Sequence, residues 1–250
     1  MSTSVTTPPA PRSSHSNIID IVVSPSSAFD RIRETPAWGW AFLAATVLGV
    51  IGALLYGPAL VHAMETTLPA KLAAMPAIAK MPPEQQQSMI AAQLKFTKIF
   101  LQLFWLFVPI QILLVGLFQG LIMMIANVAG HGDGSFKKFF ALSITVQVIG
   151  VGLASVVIGI IVLIRGAASF EEQSAVTGAA PSLALLAPGA KGALVGFLGA
   201  FNIFILWSTA LLALGMQRVA RIPAVTAWAT AILMLLVTAA FAAWGAAQNA

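Results

Sequence analysis

The chain has 250 residues, 59% of them hydrophobic and only 8% charged, with a mean hydropathy of +0.92. A soluble domain carries roughly 25% charged residues, so this deficit excludes an ordinary globular protein. The net charge of +5 sits on Lys and Arg lying between apolar runs, not in a basic stripe interleaved with aromatics, which points to membrane orientation and away from nucleic acid. Cysteine is absent, which excludes disulfides, thiolate nucleophiles and Cys-ligated metals.

Residues 1–17 are rich in Ser, Thr and Pro and read as a disordered polar tail. No basic start followed by an apolar stretch marks a cleavable signal. Residues 18–35 read as an interfacial amphipathic segment. Its first part, IIDIVV, is too short to span; in the second, Ser24 can N-cap, Pro25 suits the first helical position, and the helix must end before Pro36. Ala28, Phe29 and Ile32 share one face there, while Asp30, Arg31, Arg33 and Glu34 leave it. A solvated connector is the alternative reading.

Residues 36–250 hold five apolar runs, at about 38–61, 99–129, 139–164, 193–214 and 224–246, none with a charged residue or histidine inside. Each reaches the roughly 20 residues that cross a bilayer as a helix. The expected fold is all-α, a polytopic bundle of five spanning helices. Trp38 and Trp40 mark the first interface, and Ala45, Gly49 and Ala53 give that helix a small-residue face. Residues 62–98 form a long connection in which Pro76 interrupts one helical pattern and Pro83 starts another, able to run unbroken into the second span. That span contains Pro109, expected to kink it, and Gly116-x-x-x-Gly120, which favours tight crossing. A polar turn, 130–138, leads to the third span. Residues 165–192 form a second long connection. In the fourth span Gly192, Gly196 and Ala200 make another small-residue face, with Asn202 as an interhelical donor.

With five spans the chain ends fall on opposite sides. A cytoplasmic N-terminus puts Arg12, Arg31, Arg33, Lys137, Lys138, Arg218 and Arg221 in short inside segments, leaving Lys71, Lys80, Lys95, Lys98, Arg165 and Lys191 dispersed outside among glutamates.

The spans hold no ionisable residue near mid-depth, where an ion or proton pathway would need one. Gly130-His131-Gly132-Asp133 spells the G-x-G-D of intramembrane aspartyl proteases, but that chemistry needs two carboxylates sharing a proton, and Asp20 and Asp30 lie outside the spans. His131 with Asp133 lacks the third ligand of a zinc site. No nucleophile elbow, P-loop or dinucleotide fingerprint is present. Neither catalytic residue, cofactor, metal nor small-molecule substrate is expected.

Ser24, Pro25, Ala28, Phe29 and Ile32, followed by Pro36 and Trp38, resemble the opening of the Yip1 domain family. So do the turn Gly-x-Gly-x-Gly-Ser-Phe-Lys at 130–137 and the succession Asn202-Ile203-Phe204-Ile205-Leu206-Trp207, then Leu214-Gly215-Met216 and a basic turn. The resemblance implies a five-helix membrane protein with a cytosolic N-terminus, whose eukaryotic relatives associate with prenylated Rab GTPases and with one another. The Ala/Gly-rich, cysteine-free composition points to a bacterial inner membrane, where such a GTPase partner does not carry over. The expected function is a non-enzymatic membrane adaptor or organising subunit. It would contact lipid, and another membrane protein or itself, through helix faces at Gly49, Gly116, Gly120, Gly192, Gly196 and Ala200. The alternative is a permease or transporter accessory subunit with a polar path lined by Gln111, Gln119, Gln147 and Asn202.

Overall fold

The computed structural model describes residues 16–248; the expected polar tail lies outside that range except for its last two residues, which open the first helix. α1 (Ser16–Val23) and α2 (Pro25–Glu34) turn about Ser24. α2 stops where expected, because a residue before proline is steered to extended backbone, and Thr35 has φ −135° and ψ 96°. Its apolar residues Ala28, Phe29 and Ile32 are buried in the bundle's core with Phe139, Leu142 and Leu211. One face of the segment therefore docks on protein.

Five helical segments are long and apolar enough to cross a membrane, and no strand forms among the described residues. The first, α3 (Gly39–Ala73), has 35 residues. At 1.5 Å per residue it is about 52 Å long against ~30 Å of hydrocarbon, so it projects about 20 Å beyond one face. The sequence reading ended it near Val61; the helix continues because Pro58 and Pro69 are accommodated inside it. α4 (Pro76–Ala79) caps the projection and α5 (Pro83–Gln102) returns alongside.

α5 does not run unbroken into the second span. A 3₁₀ turn at Phe104–Phe107 separates it from α6 (Val108–Ala129). The physical cause is Pro109, which has no N–H to donate to the Trp105 carbonyl; the Val108 N–H takes that acceptor one residue early. The second span thus begins at Phe104.

The third span is α7 (Phe136–Gln147), a π-helical turn at Val148–Leu153 and α8 (Ala154–Arg165). The connection after it is ordered by α9 (Gln173–Thr177) and by Phe170, fully buried against Ala59, Leu60 and Val162. α10 (Gly192–Gly199), α11 (Ile203–Ala220) and α12 (Ala224–Ala247) complete the chain. The fourth span is therefore Ile203–Ala220, not 193–214, because the run is broken at Asn202. Asn202 takes extended backbone, and its side-chain oxygen accepts from the N–H groups of Phe204 and Ile205 at 3.1 and 3.0 Å. That is an N-cap, which starts a new helix where hydropathy shows one continuous run.

The closest crossing brings α3 against α8. A Cβ built on Gly52 would strike the backbone and Cβ of Ser155, and one on Gly159 would come within 2.6 Å of the Leu55 Cβ. These two glycines let the helices meet backbone to backbone, the means of association left to helices whose surroundings are as apolar as themselves. Gly52→Ile should destabilise the protein by about 1–3 kcal/mol, the usual cost of overpacking, read as earlier thermal aggregation in detergent. Gly39→Ala, at a position with nothing within 4 Å, should leave the midpoint unchanged.

Candidate functional site

Two polar regions at opposite ends of the bundle hold nearly all the charge. At the N-terminal end, Gly130–Ser135 folds as a tight turn packed directly on the end of α11. Asn127 organises it: its side-chain oxygen accepts from the Gly134 N–H at 3.0 Å, while the Asp133 N–H donates to the Ala220 carbonyl at 2.9 Å. A Cβ on Gly132 or Gly134 would collide with Asn127 and Phe139 respectively, which accounts for the glycine spacing. His131 and Arg221 both adopt left-handed backbone, with φ 51°.

The aspartates at this end face arginines. Asp133 pairs with Arg33 at 3.2 Å and Arg221 at 3.6 Å, Asp30 with Arg218 at 2.9 Å, and Asp20 with Arg31. Asp133 thus lies between two guanidinium groups, with no second carboxylate facing it, and the arrangement has no proton-sharing pair. Among the described residues no three His, Cys, Asp or Glu groups stand where they would hold a metal.

Four of the six small residues named from the sequence lie in close contacts within the chain. A Cβ on Gly49 would come within 2.8 Å of Val108, on Gly116 within 2.6 Å of Ile144, on Gly120 within 3.1 Å of Phe136, and on Gly196 within 2.6 Å of the Ala246 Cβ. Gly192 opens α10 with φ 53° and Ala200 is buried at its end. The four close contacts join α3 to α6, α6 to α7, and α10 to α12.

The four polar residues do not line a common path. Gln111 is exposed on α6. Gln119 accepts from the Ser143 hydroxyl and Gln147 donates to the Ile112 carbonyl at 3.0 Å, both bonds tying α6 to α7. Asn202 is spent on its cap. With Gln119, Gln147 and Asn202 bonded to neighbouring helices or backbone and Gln111 on the outer surface, the transporter alternative is not favoured.

At the other end, the projecting half of α3 and α5 form a helical hairpin. Lys98 and Glu65 pair across it at 2.7 Å. Ile90, Leu94 and Leu101 are partly covered on the α3 side, but no residue of α5 is buried. A second apolar edge, Met89, Ala92, Phe96, Ile99 and Leu103, recurs at spacings of three and four and stays uncovered, Phe96 being 68% exposed. The sequence reading places Met89, Ala92 and Phe96 on a helix of the first long connection and Ile99 and Leu103 in the second span. The signal for the edge was the 3-4-3-4 repeat, which is informative only once α5 is known to lie beyond the span.

A sequence model of the Yip1 domain matches residues 19–246. The chain is 25% identical over 235 residues to "Membrane protein YknW" of Bacillus subtilis (strain 168), a match covering 93% of this chain and 91% of that protein. No solved structure matches.

What holds α1 and α2 in place can be decided by magnitude. Exposed ion pairs contribute ~0–1 kcal/mol each, whereas truncating a buried Phe costs about 3–5 kcal/mol. Phe29→Ala should therefore release α2, seen as fast hydrogen exchange over Pro25–Glu34. Asp133→Asn should change that exchange by no more than the equivalent of about 1 kcal/mol.

Proposed function

This chain belongs to the Yip1 domain family, and from that premise we propose that it is a non-enzymatic integral membrane adaptor. It holds a second membrane protein, or a second copy of itself, by helix contact. The observation that supports this best is the uncovered edge of α5. Met89, Ala92 and Phe96 lie two or more helical turns before Phe104, where the second candidate span opens, and an apolar stripe at coiled-coil spacing in water is costly unless another helix covers it. The small-residue faces at Gly49, Gly116, Gly120, Gly192, Gly196 and Ala200 serve this role indirectly: they fix the bundle that presents the hairpin.

The N-terminus is cytoplasmic in this reading. The density of Arg and Lys in the short segments carrying Arg31, Arg33, Lys137, Lys138, Arg218 and Arg221 supports it. A bacterial plasma (inner) membrane is the proposed location, in keeping with a bacterial relative that is itself a membrane protein. No Rab-type partner is carried over.

Because the chain lacks cysteine, one introduced thiol can carry a benzophenone. Phe96→Cys and Met89→Cys, labelled and photolysed in native membranes, should each give a discrete adduct. Twice the protomer mass identifies a second copy, and any other discrete mass a different membrane protein. Leu94→Cys, turned towards α3, should give none. Absence of any adduct at both edge positions contradicts the proposal.

A further inference from the structure

Where α3 leaves the hydrocarbon it does not lie flush against the segment opposite. Between residues 53–65 and 98–105 the structure leaves a half-open cleft of about 430 Å³, within the roughly 300–1,000 Å³ of sites that hold small molecules. Its walls change character along one direction. Ala53, Leu54, Leu101 and Phe104 make an apolar floor, Tyr56 and Trp105 stand beside it, and Glu65, Lys98, His62 and Gln102 form the rim.

That sequence of apolar, aromatic and ionic groups follows the depth profile of a bilayer surface. Phe104 is the first residue of the second span, and about 20 residues of rise from Gly39 bring α3 to its Gly57-Pro58 step at the same level. Tyr and Trp are the side chains that settle at this boundary. Pro58 adds a polar group lower down: it has no N–H, so the carbonyl of Leu54 loses its helical donor in a wall of the cleft.

We propose that this cleft binds one glycerophospholipid with a zwitterionic head. The phosphate lies towards Lys98, the ammonium towards Glu65, and the first methylenes of one chain run over Leu101 and Phe104. The rim selects the head. Lys98 and Glu65 already pair at 2.7 Å, so their charges sum to zero. An anionic head would bring a charge that this pair cannot neutralise without losing Glu65 as a partner, whereas a zwitterion matches both ends of the dipole. A freely soluble phosphate ester would leave the apolar floor wet. This site does not rest on the adaptor reading, since it faces the gap between α3 and α5 and not the exposed edge of α5.

Native mass spectrometry of the full chain in mild detergent tests the proposal, with phosphatidylethanolamine and phosphatidylglycerol added separately after delipidation. The unchanged protein should retain a single phosphatidylethanolamine with at least tenfold preference, and chain-free glycerophosphoethanolamine should not displace it. Gly57→Phe, placed where a Cβ meets nothing within 4 Å, should fill the cleft and reduce retention at least tenfold. Glu65→Gln should leave Lys98 uncompensated and reverse the preference in favour of phosphatidylglycerol, a change that mere loss of structure would not produce. Equal retention of both lipids by the unchanged protein, displacement by the chain-free head group, full retention by a folded Gly57→Phe, or unchanged selectivity in Glu65→Gln each overturns it. Should Gly57→Phe not fold, the Glu65→Gln comparison decides alone.

Discussion

Hydrocarbon offers no hydrogen bonds, so each backbone N–H and C=O within the bilayer must be satisfied by the chain itself. The fold follows from that requirement. Helix breaks occur either at the edges of the spans, at residues 103–107 and 200–202, or within protein. Deep inside the third span lies the π-helical turn Val148–Leu153, whose Val148, Ile149 and Gly152 are buried in protein. With water absent, helices gain nothing by hiding apolar area from it, and association rests on van der Waals fit. The glycines that let α3 meet α8, α6 meet α7 and α10 meet α12 are thus the chain's principal means of holding its shape.

The two ends solve the polar problem differently. At the N-terminal end, Asp20, Asp30 and Asp133 pair with Arg31, Arg218 and Arg33 and lash α1 and α2, the α6–α7 turn and the end of α11 into one layer. Docking energy comes mainly from Phe29, Ile32 and Ile21, each fully or almost fully buried and contributing about 1.5–3 kcal/mol; the ion pairs set register. At the opposite end a lysine and a glutamate bridge two projecting helices that bury little between them. The first end closes the bundle. The second leaves a cleft and an apolar edge, and the functional readings attach there.

Hydropathy made the five spans legible, because a charge-free run of 20 residues has no other stable solution in membrane or water. Their bounds were less legible. Asn202 interrupts an apolar run through its backbone conformation and cap, and hydropathy registers neither. Pro109 was recognised as a disturbance, yet whether it would kink a helix or start one depended on the 3₁₀ turn before it. α3 outran its span because Pro58 and Pro69, which read as breaks, are accommodated inside a helix that runs on to Ala73. Gly49, Gly116, Gly120 and Gly196 could be named from their spacing; Gly52 and Gly159, at the tightest crossing, could not, since glycine and alanine recur throughout this chain. Neither the α5 edge nor the cleft was visible, because each depends on how residues some 40 apart in sequence face one another.

Five crossings of the membrane put the α3–α5 hairpin and the C-terminal helix end on one side and α2 and the α6–α7 turn on the other. Single cysteines at Ser24, Gln85, Ser135 and Gln248, probed in intact cells with a membrane-impermeant maleimide, test this arrangement directly. Gln85→Cys and Gln248→Cys should fall in one labelling class, and Ser24→Cys and Ser135→Cys in the other. Labelling that places Ser24 and Gln248 on the same side would contradict it.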